Sequence, residues 1–120
     1  MKREELESRT RTFAISVMRH ANRLSSSRSN EVIGRQLVRS ACSIGANYRE
    51  ASRAESRNDF IHKISVCAKE AAETEYWLEL LVESNEHVEP LRDLQREANE
   101  LMKIMISSTK TASKNRAPRR

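Results

Sequence analysis

The spacing of apolar residues is the feature that most limits what this chain can fold into. In four segments apolar side chains recur at intervals of three, four and seven residues, the period of an amphipathic α-helix. Four helices of about 20 residues with short connections are typical of an antiparallel up-down four-helix bundle, so we predict an all-α fold. The predicted core positions are Leu6, Phe13, Val17, Ala21, Leu24, Ile33, Leu37, Ala41, Ile44, Tyr48, Ala51, Ile64, Cys67, Ala71, Thr74, Leu78, Val82, Leu91, Leu94, Ala98, Leu101, Met102 and Met105.

Polar residues mark where the predicted helices begin and end. The serine-rich run 25–29 separates the first two helices, and Ser56 is suited to cap the third. Pro90 fits the first turn of the fourth helix, where its missing N–H does no harm. Apolar periodicity is lost near the end of the chain. We therefore predict a single bundle domain over residues 1–108 and a basic disordered tail over residues 109–120.

Two glycines lie inside the second predicted helix. Gly34 and Gly45 each cost about 1 kcal/mol relative to alanine in a helix interior. Ala41, Cys42 and Ala46 are small as well, so we expect a neighbouring helix to approach closely there and offset that cost by packing.

Membrane and secreted classes do not fit the sequence. No apolar run is long enough to cross a bilayer, and the N-terminus enters a charged helical pattern rather than an apolar signal segment. Cys42 and Cys67 do not form a C-x-x-C pair and are expected to be reduced core residues. The sequence thus predicts a cytoplasmic protein that makes no membrane contact.

Residue groups that carry out catalysis are not recognisable. The two glycines are too far apart for a phosphate loop, and the Glu-x-x-His motif of di-metal bundles is missing. The nearest approach is Asp59 with His62, which we interpret as a helix cap followed by a surface histidine. His20 and His87 lie among polar neighbours. We therefore predict no enzyme activity, no cofactor and no metal.

Charge is distributed unevenly along the chain. Residues 1–57 contain 12 Lys and Arg against 6 Asp and Glu, whereas residues 58–109 contain 5 against 11. Residues 110–120 contain 5 basic residues and no acid. The bundle as a whole is therefore neutral, with a basic first half, an acidic second half and a basic tail.

Two basic features are candidates for nucleic-acid contact. On a helical wheel of the second helix, five arginines fall within an arc of about 80° opposite the core stripe. They are Arg35, Arg39, Arg49, Arg53 and Arg57. The row could contact phosphates, or it could be a solvated face flanked by acids, and the sequence leaves both open. The tail adds Lys110, Lys114, Arg116, Arg119 and Arg120.

The outer side of the third helix carries a possible oligomer interface. Tyr76 and Leu80 lie one turn apart away from the core stripe, with Ala72 one turn earlier, whereas Trp77 is expected to be buried. Glu75 falls on the apolar side and needs a partner within the bundle or across a subunit boundary. The opposite charges of the two halves suggest head-to-tail assembly into a ring.

Three runs of residues also resemble a known family. They are 34–51, 56–64 and 69–78, and together with Arg9 they resemble the core motif of the bacterial four-helix-bundle proteins encoded in 23S rRNA intervening sequences. The likeness covers about residues 6–84 and includes several polar positions.

That resemblance implies a ring-shaped homopentamer without enzyme activity. The family is similar to the accessory variability proteins of diversity-generating retroelements, which implies nucleic acid and a reverse transcriptase as partners. The resemblance singles out Ser40, Ser43, Asn47, Glu70 and Glu73 as polar motif positions, and structural hydrogen bonding is the default interpretation of the first three.

Two functions follow as hypotheses. The first is a non-catalytic oligomeric protein that binds RNA or DNA through sequence-independent phosphate contacts. The alternative is a structural or adaptor ring that recruits a protein partner without binding nucleic acid.

Overall fold

A computed structural model describes residues 1–114 of the chain. This part of the protein consists of four α-helices and contains no β-strand. The helices are α1 (Arg3–Ala21), α2 (Arg28–Ser52), α3 (Arg57–Ser84) and α4 (Glu89–Lys114). The all-α fold predicted from apolar spacing is confirmed. None of the helices in the described part has the length and apolarity needed to span a membrane.

Neighbouring helices in the chain run in opposite directions. Asn30, near the start of α2, bonds Asn85 beyond the end of α3, whereas Glu50, near the end of α2, pairs with Lys63 near the start of α3. Each helix packs on the next, and α1 also packs on α4, which closes the bundle. In this up-down arrangement the carboxyl ends of α2 and α4 and the amino ends of α1 and α3 lie at the same end of the bundle.

The core lies between the apolar stripes that the sequence predicts. Four of the predicted positions are only half-buried at the margin, namely Ala21, Leu24, Ile33 and Met102, and all the others are buried. Leu81 is 1% exposed although its position was not predicted to be in the core. Because α3 packs on both α2 and α4, its apolar face is wider than a single stripe.

Serine side chains begin two of the helices. Ser27 accepts a hydrogen bond from the backbone N–H of Asn30 at 3.1 Å, and Ser56 accepts one from the N–H of Asp59 at 3.0 Å. These bonds satisfy amides that have no partner within their own helix. The predicted cap at Ser56 is confirmed, as is Pro90 in the first turn of α4.

α4 continues beyond the predicted boundary between residues 108 and 109. It runs to Lys114, with the hydroxyls of Ser108 and Thr109 donating to the carbonyls of Ile104 and Ile106. The predicted boundary lies where apolar periodicity stops. The loss of periodicity marks the end of contact with the core and not the end of the helix. Residues 109–114 contain neither Gly nor Pro, so the backbone hydrogen-bond ladder continues. Residues 115–120 of the predicted tail lie outside the described residues.

The two glycines of α2 have different surroundings. A Cβ at Gly45 would lie 3.1 Å from Oγ1 and 3.4 Å from Cβ of Thr10, so α1 approaches α2 closely here, as predicted. Thr10 is 1% exposed and its hydroxyl lies 2.9 Å from the carbonyl oxygen of Leu6. A Cβ at Gly34 would meet only Cδ1 of Leu24, at an ordinary 3.7 Å.

This difference predicts that two alanine substitutions have different effects on the free energy of unfolding. Gly34→Ala should raise the free energy of unfolding by about 1 kcal/mol, because the added methyl fits and the unfolded chain loses conformational freedom. Gly45→Ala should forfeit that gain, because its methyl meets a Thr10 side chain held in place by its own hydrogen bond. Urea unfolding of the two variants measures the difference, and equal stabilisation by both would contradict the close approach at Gly45.

Candidate nucleic-acid interface

The up-down topology brings together cations that are far apart in sequence. Arg49 lies in the last turn of α2, Arg53 caps its carboxyl end, and Lys110 and Lys114 lie in the last turns of α4. We call these four residues the basic end. All four are exposed, and none forms an ion pair within residues 1–114. Two basic stretches predicted separately from the sequence thus lie at the same end of the bundle, on two helices that do not contact each other in the described part.

Acidic residues at this end are partly neutralised by other cations. Glu50 pairs with Lys63 at 2.9 Å, and this hydrogen bond raises the pKa of the Lys63 ammonium. Glu4 pairs with Arg3 at 3.5 Å. Because these carboxylates have partners of their own, their charge opposes the basic end less than the residue counts suggest.

The predicted row of five arginines along one helix is wrong at its far end. α2 stops at Ser52, where Arg53 takes a non-helical conformation as the cap, and Arg57 begins α3. The helical wheel assumed that one helix continues through residues 53–57, which the turn before Ser56 prevents. Arg57 makes interactions of its own at this turn and is not counted in the basic end.

Arg39 is engaged within the bundle rather than open to a ligand. Its guanidinium donates to Glu70 at 3.2 Å and also to Glu73, both on α3. The indole N–H of Trp77 donates to the same carboxylate of Glu73 at 3.3 Å. The motif acids Glu70 and Glu73 therefore tie α3 to α2.

Arg35 is the remaining arginine of the predicted row. It is exposed, makes no ion pair within the described part of the chain, and lines a shallow cleft of about 470 Å³ between α1 and α2. At a rise of about 1.5 Å per residue it lies roughly 20 Å along α2 from Arg49. Arg35 is thus separate from the basic end.

The polar motif positions of α2 serve structural hydrogen bonds, as their position beside the core predicts. The hydroxyl of Ser40 lies 2.7 Å from that of Thr74 on α3, and both residues are fully buried. The amide of Asn47 donates to the carbonyl and hydroxyl oxygens of Ser43, each at 2.9 Å. The Ser40–Thr74 bond therefore joins α2 to α3, whereas the bonds between Asn47 and Ser43 lie within α2.

The predicted interface on α3 is an exposed surface of the single chain. Tyr76 is 51% exposed, Ala72 is exposed and Leu80 is half-buried. Glu75 finds its partner inside the bundle, since the amide of Asn99 on α4 donates to it at 3.4 Å. Trp77, expected to be buried, is half-buried with its ring 5.3 Å from that of Tyr76.

A larger cleft lies at the opposite end of the bundle. It encloses about 710 Å³ where the α1–α2 and α3–α4 connections meet, and it is lined in part by His20, Arg23 and His87. Nδ1 of His20 lies 2.8 Å from the carbonyl oxygen of Ser16. Within residues 1–114, no three His, Cys, Asp or Glu side chains are grouped so that they could hold a metal ion.

Both cysteines are free thiols in different surroundings. Cys67 is fully buried, its Sγ lies 3.4 Å from the carbonyl oxygen of Ile44, and burial raises the pKa of its thiol from 9.0 to about 12. The reactive thiolate should therefore be about a thousandfold rarer in the folded than in the unfolded chain.

We expect a Cys42→Ser variant, in which Cys67 is the single thiol, to resist iodoacetamide at neutral pH and to react readily in urea. Mass spectrometry of the time course measures the two rates. Native labelling as fast as denatured labelling would contradict the burial of Cys67.

The chain matches a known protein family and a solved structure over most of its length. The family model for the 23S rRNA-intervening sequence protein matches residues 4–107. A crystal structure at 1.70 Å resolution of a protein with unknown function from the S23 ribosomal protein family, from Bacteroides thetaiotaomicron, is 38% identical with a TM-score of 0.83. That match covers 92% of this chain and 99% of the other. No curated protein matches. The resemblance to this family is confirmed, and the chain belongs to the 23S rRNA-intervening sequence protein family.

Proposed function

We propose that this protein is a non-catalytic oligomeric bundle that binds RNA or DNA through sequence-independent phosphate contacts made by its basic end. The observation that carries the proposal is the convergence of Arg49 and Arg53 with Lys110 and Lys114 at one end of the bundle, exposed and without ion pairs in the described part. Guanidinium and ammonium groups are the side chains best suited to phosphate oxygens.

Two further observations support this proposal. Arg116, Arg119 and Arg120 follow Lys114 within six residues of the sequence, so the sequence adds three cations to those at the end of α4. The solved relative comes from a family whose printed name is that of a ribosomal protein, and ribosomal proteins contact RNA.

Oligomeric assembly would multiply this charge. A ring-shaped homopentamer, the assembly that the resemblance implies, would present several basic ends to one nucleic acid and raise the affinity by avidity. The opposite charges of the α1–α2 and α3–α4 halves favour contact between the basic half of one copy and the acidic half of the next. A reverse transcriptase is the protein partner suggested by the similarity to retroelement accessory proteins.

The proposal is tested by titrating the complete chain into fluorescently labelled RNA and DNA and following anisotropy at several salt concentrations. We expect saturable binding. The logarithm of the association constant should fall linearly with the logarithm of the salt concentration, with a slope of about 0.9 for each duplex phosphate contacted. Binding should change little between probes of different sequence. Absent or salt-insensitive binding to every probe would overturn the proposal.

A second candidate function is an adaptor ring that recruits a protein without binding nucleic acid. The exposed ring of Tyr76 beside Ala72 favours it, because a large exposed aromatic on a helix face is typical of a protein contact. Under this hypothesis, Tyr76→Glu should reduce the assembly to a smaller species in light scattering, whereas His62→Glu, elsewhere on the exposed surface of α3, should not. If Tyr76→Glu has the same mass as the unchanged protein, the surface around Tyr76 is not part of the subunit interface.

A further inference from the structure

The distribution of aromatic residues limits which nucleic acid the basic end can hold. The whole sequence contains five aromatic residues. Phe13 and Tyr48 are buried in the core, and Phe60 and Trp77 are half-buried and packed against it. Tyr76, at 51% exposed, is the one of these five rings that faces solvent.

Tyr76 is in the wrong electrostatic surroundings to stack on a nucleobase. It belongs to the acidic half of the bundle, and the exposed carboxylates of Glu79 and Glu83 follow it on α3 without ion pairs in the described part. Phosphates that approached this ring would be repelled. The basic end and the exposed ring are therefore separate surfaces of opposite charge.

Single strands are recognised differently from duplexes. Proteins that bind single-stranded nucleic acid combine a basic groove with aromatic rings on which unstacked bases lie, and each such base contributes substantially to affinity. The basic end offers guanidinium and ammonium groups and the exposed imidazole of His62, but no exposed Phe, Tyr or Trp ring. It can contact phosphates, but it lacks the large aromatic rings on which single-strand binders hold bases out of a stack.

Charge density then favours a duplex. About 0.9 counterion is released for each phosphate contact on a duplex, against about 0.7 on a single strand. With roughly five contacts near 0.1 M salt, this difference alone amounts to about tenfold in affinity. No Phe, Tyr or Trp ring lies at the basic end to reverse the order by stacking.

We infer that the ligand of the basic end is a nucleic-acid duplex, contacted through its phosphate backbone, in preference to a single strand. This inference rests on the proposed function and specifies its ligand. We expect the contact to be independent of base composition, because base sequence is read by side chains that reach base edges in a groove, whereas the contacts proposed here are to phosphates.

The test is an anisotropy titration of the complete chain with two labelled RNAs that carry the same total number of phosphates. One is a short mixed-sequence duplex, and the other is an unstructured single strand of twice its length in nucleotides. A G·C-rich and an A·U-rich duplex are compared in parallel, and the Tyr76→Ala protein is titrated with both types of probe.

We expect the duplex to bind about tenfold more tightly than the single strand, both duplex compositions to bind within roughly threefold of each other, and Tyr76→Ala to change neither affinity. A single strand that binds as tightly as the duplex would overturn this inference while the proposed function stands. A loss of single-strand binding in Tyr76→Ala would do the same. If no probe binds, the proposed function fails and this inference falls with it.

Discussion

Neutralising the basic end is expected to lower the affinity of the chain for an RNA duplex by about a thousandfold near 0.1 M salt. The variant replaces Arg49, Arg53, Lys110 and Lys114 by glutamine. These side chains are exposed and make no ion pair in the described part, so their loss removes phosphate contacts without breaking a bond inside the bundle. A plot of the logarithm of the association constant against the logarithm of the salt concentration should become shallower, its slope decreasing in magnitude by about three to four.

A matched control removes the same amount of charge from the acidic half. It replaces Lys69, Arg92, Arg96 and Lys103 by glutamine, all exposed on α3 or α4. Three of these cations already pair with a nearby acid, so we expect a change of no more than about tenfold, from the altered net charge alone. Equal losses in the two variants would show that net charge, and not the basic end, controls binding.

A pair of asparagines, of which Asn30 is buried and Asn85 half-buried, is expected to carry the largest polar contribution to stability. Asn30 and Asn85 exchange two amide hydrogen bonds, at 2.9 and 3.0 Å, and Asn30 is 6% exposed. Asn30 also donates to the carbonyl of Ser25, and Asn85 to that of Leu81. The pair therefore joins the α1–α2 connection to the end of α3.

Asn30→Ala should lower the free energy of unfolding by about 2 kcal/mol, because the amide of Asn85 is left without its partner in a largely buried place. Asn85→Ala should cost a similar amount. The double variant should lose less than the sum of the two, with a coupling of about 1 kcal/mol. Urea unfolding of the four proteins in the cycle measures these values.

Asn99→Ala is the control for this cycle. Its amide makes one longer hydrogen bond, 3.4 Å to Glu75, and its loss should cost less than about 1 kcal/mol. Additive effects of the Asn30 and Asn85 substitutions, or losses no larger than that of Asn99→Ala, would contradict the structural importance of the pair.

Apolar periodicity predicted the fold because burial follows the helical period. An amphipathic helix packs with its apolar face toward the core. The spacing therefore predicted the buried positions of Phe13, Ile44, Leu78 and Leu101. The boundary at 108 differs from the end of α4 at Lys114 because the same signal reports contact with the core and not helix length.

Buried polar residues were harder to predict. Thr10 and Asn30 are buried, yet in the sequence each resembles a surface residue. Their burial depends on residues from other elements, such as Gly45 for Thr10 and Asn85 for Asn30, and a single sequence does not show which helices meet.

Only part of the candidate site could be predicted, because a single sequence does not show how the helices align. Exposure of Arg49 follows from its position opposite the core stripe, whereas Arg53 is exposed as the residue that caps α2. The pairing of Arg39 with Glu70 and Glu73 depends on how α2 and α3 align, and the separation of Arg57 from α2 depends on the turn before Ser56. The meeting of α2 and α4 cations at one end follows from up-down topology once the helices are known.

The central claim is that the basic end is the surface that touches nucleic acid, and a chemical footprint tests it most directly. The complete chain is treated with arginine- and lysine-modifying reagents with and without a bound RNA duplex, and modified residues are identified by mass spectrometry. We predict protection of Arg49, Arg53, Lys110 and Lys114, and unchanged modification of Lys69 on the acidic half. Protection confined to Lys69 and its neighbours on α3 and α4, with the basic end modified as in the free protein, would contradict the account.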